Sequence, residues 1–149
     1  MGRLADLARK RDVFRAAQFG IAGIVGFAVA ESIIVAGLFL AYGNVVVPSG
    51  FSSSPALLAV DVVAFLVGVT VGFFVNERTT VRDVQGRGSL PLRLAKYQGV
   101  YVLGNAITIG TQLALLAALS LSPAIGVLVG AVIAYPVSYV VSMKFVWRV

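Results

Sequence analysis

Four long apolar stretches constrain the fold of this chain more than any other feature. A helix rises about 1.5 Å per residue, so about 20 residues cross the hydrocarbon core of a bilayer. A helix also satisfies its own backbone hydrogen bonds in lipid, and the alternation typical of transmembrane strands is not visible. The sequence therefore predicts a single all-α integral membrane domain over residues 1–149. Its four predicted transmembrane helices are residues 16–40, 56–75, 97–119 and 123–143.

The composition excludes several classes of protein and of chemistry. Only 12% of the residues are charged, against about 25% in a soluble domain. There is no Cys and no His, so thiol nucleophiles, disulfides, His bases and His metal ligands are excluded. No nucleophile–base pair or Gly-rich phosphate loop beside a strand is recognisable either. We therefore expect a protein that is not an enzyme and that has no catalytic residue, metal or cofactor.

The basic residues are distributed very unevenly along the chain. All 12 Lys and Arg lie in three segments: five in residues 1–15, five in 76–96, and two in 144–149. The positive-inside rule then places both termini and the middle connection in the cytoplasm of a plasma-membrane protein. The net charge of +6 thus indicates contact with membrane lipids rather than with nucleic acid. The arm 1–15 either lies on anionic headgroups or acts only as a topology signal.

The chain contains an internal repeat of a helical hairpin. Residues 72–81, at the end of span two, align with residues 138–147, at the end of span four. Both halves would enter the membrane from the same side, which makes the repeat parallel. The corresponding pairs at the start of spans one and three are Arg15 and Arg93, Phe19 and Tyr97, and Gly26 and Gly104.

Several motifs resemble those of a known family. Span one opens with Gln-Phe-Gly-x-x-Gly at residues 18–23, and span two closes with aromatic, Asn, Arg and Thr residues at 73–81. Span three opens with Lys96 and Tyr97. In these motifs the chain resembles the GtrA-like family, also found as the membrane domain of some dolichol-phosphate mannose synthases. The second copy departs from the family pattern, with Ser138, Ser142 and Lys144 where Asn, Asn and Arg are usual.

The resemblance implies a role in cell-surface polysaccharide or glycoprotein synthesis. Members of the family are thought to move polyprenyl-phosphate-linked sugars across the membrane, or to assist the glycosyltransferases that use them. A flippase for such a lipid-linked sugar, or for its lipid carrier, is therefore the first hypothesis. The alternative is a non-transporting membrane partner that recruits a glycosyltransferase. A small proton-coupled exporter fits less well, because the basic residues are so strongly biased to one side.

Two carboxylates lie within the predicted spans. Glu31 lies 16 residues after Arg15, and Asp61 lies near the outer end of span two, so both fall in the outer half of the membrane. A charge there costs about 2.5–3.5 kcal/mol and marks a functional candidate. If the two carboxylates face one cavity, they repel each other and one should hold a proton. We assign them, with Asn105 and Gln112, to a sugar or proton site; Asp61 could alternatively cap a helix or lie at the membrane interface.

Polar side chains recur at helical spacing on spans three and four. Such a stripe either packs helices together or lines a path for a polar headgroup. The predicted translocation path consists of Gln98, Tyr101, Thr108, Tyr135 and Ser138.

Cationic residues near the cytoplasmic ends of the spans could bind a phosphate. Such residues also act simply as topology anchors whose charged ends reach the headgroups. The predicted phosphate-binding residues are Asn76, Arg78, Lys96 and Lys144, and we expect Tyr97, Phe145 and Trp147 to be anchors at the membrane interface. Four helices form a thin wall around a lipid-sized path, so we also expect a homo-oligomer.

Overall fold

The computed structural model describes residues 2–43, 55–83, 88–119 and 123–148, and every regular element among them is a helix. Four of the helices are long and apolar enough to cross a membrane, which confirms the predicted all-α class. Residues 44–54, 84–87 and 120–122 in the connections, and the side chains of residues 1–10 in the basic arm, lie outside the described part. The helices are α1 (Gly2–Tyr42), α2 (Pro55–Arg78), α3 (Leu90–Leu119) and α4 (Pro123–Val141), and α4 continues into a π-helix at Ser142–Trp147.

Two helices extend well beyond their predicted spans. Helix α1 begins at Gly2, so the basic arm is continuous with the first span instead of forming a separate segment. Helix α3 begins at Leu90, seven residues before its predicted start. Ser89 precedes it and Pro91 lies in its first turn, and both residue types favour a helix start. Residues 76–78 and 90–96 of the predicted connection are thus helical, because a helix need not end where the hydrocarbon ends.

The chain divides into two compact units, Met1–Thr80 and Val81–Val149. In the first unit α1 and α2 form an antiparallel hairpin. A Cβ atom added to Gly26 would lie 2.5 Å from the carbonyl oxygen of Gly68, and one added to Gly37 would lie 2.9 Å from Val60 Cγ1. The two backbones therefore approach each other as closely as glycine allows.

The second unit is another antiparallel hairpin, formed by α3 and α4. A Cβ atom added to Gly104 would lie 2.7 Å from Ser138 Oγ, and one added to Gly130 would lie 2.7 Å from the carbonyl oxygen of Thr108. Gly126 similarly faces Gln112, with 3.0 Å between the added Cβ and the Gln112 Cα. Small residues on α4 thus pack against the polar face of α3.

The two hairpins bury matching positions of the repeat. Gly26 and Gly104 occupy equivalent places in the first and third helices, and both are points of close approach. The packing faces are therefore repeated along with the sequence motifs. Further pairs buried in both hairpins are Phe19 and Tyr97, Ala22 and Val100, Ala64 and Gly130, Asn76 and Ser142, and Thr80 and Val146.

The end of α4 departs from regular α-helix. Pro136 lies inside the helix and has no N–H to donate to the preceding turn. The π-helix at Ser142–Trp147 then widens the last turns. It ends at Arg148, which has left-handed backbone angles (φ 55°, ψ 45°) and donates its backbone N–H to the Met143 carbonyl. Such a conformation is uncommon for a residue other than glycine.

Candidate functional site

The two membrane carboxylates are both exposed in the first hairpin. Interpolating between the Gly26–Gly68 and Gly37–Val60 contacts places Glu31 opposite Ala64. Asp61 therefore lies about 4.5 Å further along the hairpin, which is three residues of helix.

Glu31 and Asp61 point in different directions. At about 100° per residue, Glu31 lies about 140° around α1 from Gly26, whose face contacts α2. Asp61 lies only about 20° around α2 from Gly68, on the side of α2 that faces α1. The two side chains therefore lie at different angles from the α1–α2 contact.

The polar stripe of α3 lies along one edge of its contact with α4. Thr108 and Gln112 contact the glycines of α4, and both are half-buried. Asn105 lies about 100° around the helix from Gly104 and is exposed, while Gln98 is half-buried. One side of the stripe therefore packs against α4, and its other side is exposed.

The hydroxyl groups of α3 form local hydrogen bonds. Thr108 Oγ1 donates to the Gly104 carbonyl oxygen at 3.1 Å, and Tyr97 donates its phenolic hydrogen to the Tyr101 hydroxyl at 3.0 Å. Such bonds reduce the cost of a polar group in hydrocarbon. The amides of Gln98, Asn105 and Gln112 carry both donors and acceptors that a sugar hydroxyl can match.

The predicted phosphate-binding cations have different surroundings. Arg78 is exposed at the end of α2, and Lys144 is exposed in the π-helix. Lys96 is half-buried, and its Nζ atom lies 4.7 Å from the centre of the Phe145 ring, which is within the range of a cation–π interaction. Of these three cations, only Lys96 has a described contact that fixes its position.

Asn76 is fully buried, at 0% exposure. Its Oδ1 atom accepts a hydrogen bond of 2.6 Å from Thr80 Oγ1, and its carbonyl oxygen accepts the backbone N–H of Thr80 at 2.9 Å. Thr79 likewise donates its N–H and its hydroxyl to the Val75 carbonyl. The hydrogen bonds between Asn76 and Thr80 thus complete the end of α2. The buried side chain of Asn76 is not accessible to a ligand.

Ser138 and Tyr135, both predicted to line the translocation path, differ in their exposure. Ser138 faces Gly104 inside the second hairpin and is buried, whereas 38% of Tyr135 is exposed. Of the two, only Tyr135 presents a substantial surface outside the hairpin.

Two aromatic residues predicted as anchors at the membrane interface belong to the core instead. Tyr97 and Trp147 are 0% and 1% exposed, and their ring centres lie 5.5 Å apart. That distance is typical of a packed aromatic pair. Phe145 is exposed, as expected of an anchor. The signal for this buried pair in the sequence is the repeat, because Tyr97 and Trp147 occupy the repeat positions of Phe19 and Val81, which are also buried.

Arg15, which was predicted as part of the basic arm and as the repeat partner of Arg93, is only 4% exposed. Its repeat partner Arg93 is half-buried. Arginines at the membrane boundary normally keep their charged ends in water. The Arg-x-x-x-aromatic motif therefore contributes to the interior of each unit as well as to the distribution of charge.

Two apolar helical hairpins with small-residue packing faces and polar stripes define a multi-pass helical membrane protein. The family model described as GtrA/DPMS, transmembrane domain, matches residues 18–147, and the chain belongs to this family. A comparison with curated proteins finds no significant match. Membership of the family indicates involvement in glycosylation pathways that use lipid-linked sugars.

Proposed function

We propose that this protein moves a polyprenyl-phosphate-linked sugar, or its lipid carrier, across the membrane in cell-surface polysaccharide or glycoprotein synthesis. The observation that carries the proposal is the open edge of the α3 stripe. Asn105 is exposed and Gln98 and Gln112 are half-buried, over 14 residues that rise about 21 Å. The exposed amide of Asn105 and the half-buried amide of Gln112 can both donate and accept hydrogen bonds, and a sugar headgroup offers matching hydroxyl groups.

The other residues have supporting roles in this proposal. The headgroup phosphate first meets the cations Arg78, Lys96 and Lys144 at the cytoplasmic side, where both termini lie. The sugar then follows the stripe, including Tyr101, Thr108 and Tyr135, while the polyprenyl tail stays in lipid. Glu31 and Asp61 accept hydrogen bonds from sugar hydroxyls or carry a proton. Asn76 and Ser138 hold the hairpins in shape. The protein binds and moves its substrate without chemical change, and so is not an enzyme.

The direct test is reconstitution into liposomes with a fluorescent polyprenyl-phosphate-linked hexose. A membrane-impermeant reagent that destroys the outer-leaflet signal would report movement between leaflets. We expect movement above that in protein-free vesicles. Asn105→Leu combined with Gln112→Leu should slow it by about ten-fold or more, which corresponds to a barrier raised by about 1.4 kcal/mol.

The matched control is Val102→Leu, an apolar change at an exposed position of the same helix. It should leave the rate unchanged. No movement above protein-free vesicles, with a folded and correctly inserted protein, would contradict the proposal.

The alternative is a non-transporting partner that recruits a glycosyltransferase. The description of the family, which joins GtrA with DPMS, favours keeping this candidate. It predicts that Glu31→Gln and Asp61→Asn have no effect, while substitutions in residues 76–96 abolish co-purification with the enzyme. We also propose self-association, which mass measurement of the protein in nanodiscs would detect.

A further inference from the structure

The second hairpin carries an open groove of about 460 Å³ on its surface. Residues of α3 form one wall, and the end of α4 with the π-helix forms the other. This volume falls within the usual range of small-molecule sites, about 300–1,000 Å³. We call it the Lys96 groove, and it is lined chiefly by Lys96, Gly99, Val100, Leu103, Val141 and Phe145.

Among the described residues that line this groove, Lys96 is the only charged one. Its ammonium group lies 4.7 Å from the centre of the Phe145 ring. The remaining lining is aliphatic, aromatic or glycine. One cation beside an apolar trough matches a ligand with a single anionic end and an apolar chain.

Gly99 in this groove is not explained by helix packing. A Cβ atom added there would meet nothing within 4 Å, whereas one added to Gly104 or Gly130 would meet an atom at 2.7 Å. Glycine inside a helix costs about 1 kcal/mol relative to alanine. At Gly99 the packing of the hairpin does not require that cost, and the missing side chain leaves room in the groove.

We infer that the Lys96 groove holds the first isoprene units of a polyisoprenyl phosphate, with its phosphate on the Lys96 ammonium. This inference rests on the proposed function and adds the binding site for the lipid chain. A phosphate monoester carries up to about two negative charges at neutral pH, which suits an isolated cation. A diacyl phospholipid has two chains, and the groove offers a single apolar trough beside a single cation.

The first test is photolabelling of the full-length protein in phosphatidylcholine nanodiscs. The probe is farnesyl monophosphate carrying a diazirine on its chain. We expect labelled residues within 95–103 and 141–145. The Cβ atom of Gly99→Leu enters open space, and the rest of its side chain should fill the groove and reduce labelling by about ten-fold or more.

The matched control is Gly110→Leu. Gly110 lies on the same helix, and a Cβ atom there also meets nothing within 4 Å, but it is not among the lining residues. This variant should label like the wild type, and melting followed by circular dichroism would verify that both variants are folded. Equal labelling of Gly99→Leu and wild type would overturn the inference.

Competition then identifies the ligand class. Unlabelled farnesyl phosphate should displace the probe about ten-fold or more better than farnesol or phosphatidic acid. In the Lys96→Gln variant, farnesyl phosphate should compete no better than farnesol. Equal competition by phosphatidic acid would overturn the assignment to a single isoprenoid chain. Equal competition by farnesol would overturn the phosphate contact.

These binding measurements need no movement across the membrane. A protein that binds the probe in the groove but moves no lipid-linked sugar would contradict the proposed function and leave the groove assignment standing. If the Gly99→Leu variant moves the lipid-linked sugar at the wild-type rate, that result would contradict the groove assignment alone.

Discussion

The two hairpins have the same packing faces but different ends. In the first hairpin α2 ends as regular helix, and the buried Asn76 accepts a hydrogen bond from Thr80. In the second, the equivalent position is Ser142, which lies in a π-helix and whose buried Oγ atom has no hydrogen-bond partner within the described part of the chain. The comparison shows that close helix approach is maintained across the repeat, while the polar ends have diverged.

The hairpins also differ in the polar groups that they expose. The first carries the carboxylates Glu31 and Asp61, and the second carries the amide stripe and the Lys96 groove. A π-helical turn is often found at functional sites, and Phe145 of the groove lies within this one. The repeat therefore supplies two similar scaffolds that present different chemistry.

The largest expected effect on transport separates the exposed carboxylates from the scaffold, and the effects on stability follow in descending order. Glu31→Gln combined with Asp61→Asn should lower the rate of lipid-sugar movement by about ten-fold or more, a barrier change of about 1.4 kcal/mol. The reason is that amides neither carry the same charge nor exchange a proton. The liposome assay measures the rate, and unfolding in detergent should show no loss of stability. An unchanged rate would favour the recruitment role.

The next effect concerns the close approach of backbones. Gly26→Leu should lower the free energy of unfolding by about 3 kcal/mol, the upper end of overpacking costs, because its Cβ meets the Gly68 backbone. Gly104→Ala should cost less, because its Cβ meets the Ser138 hydroxyl, and Ser138→Gly should relieve it. Unfolding by SDS in mixed micelles measures both. Equal costs at the two sites, with no relief by Ser138→Gly, would refute this contrast.

A smaller effect is expected at the ends of the hairpins. Asn76→Ala should destabilise the protein by about 1–2 kcal/mol, because the buried Thr80 hydroxyl loses its acceptor. Ser142→Ala should change stability by no more than about 0.5 kcal/mol, since Ser142 Oγ has no hydrogen-bond partner. A double-mutant cycle of Asn76→Ala with Thr80→Val should show coupling. Additive effects, or a large cost at Ser142, would show that the ends are equivalent after all.

The smallest effect has the opposite sign. Gly110→Ala should stabilise the protein by about 0.5–1 kcal/mol, because its Cβ enters open space and the unfolded chain loses freedom. The same SDS titration detects it. Destabilisation would reveal a contact at Gly110 with another molecule, such as a second copy of the chain.

The sequence predicted the helical class, the four spans and the family, because long apolar runs and the motifs at 18–23 and 73–81 are local signals. It also identified Gly26 and Gly104 as equivalent. It did not separate structural from exposed polar residues. Asn76 and Asn105 have the same side chain, yet Asn76 is hydrogen-bonded to Thr80 inside the hairpin and Asn105 is exposed. The burial of each side chain depends on how its helix is rotated against the neighbouring helix.

The sequence by itself determined that this chain crosses a membrane as four helices in two similar hairpins. The reason is that hydropathy, span length and repeated motifs are properties of the order of residues along the chain. Only the tertiary structure decided that Tyr97 and Trp147 pack together and that Lys96 lies beside Phe145 over an open groove. Those contacts join residues about 50 positions apart, and they depend on the register of α3 against α4, which close packing at glycines selects.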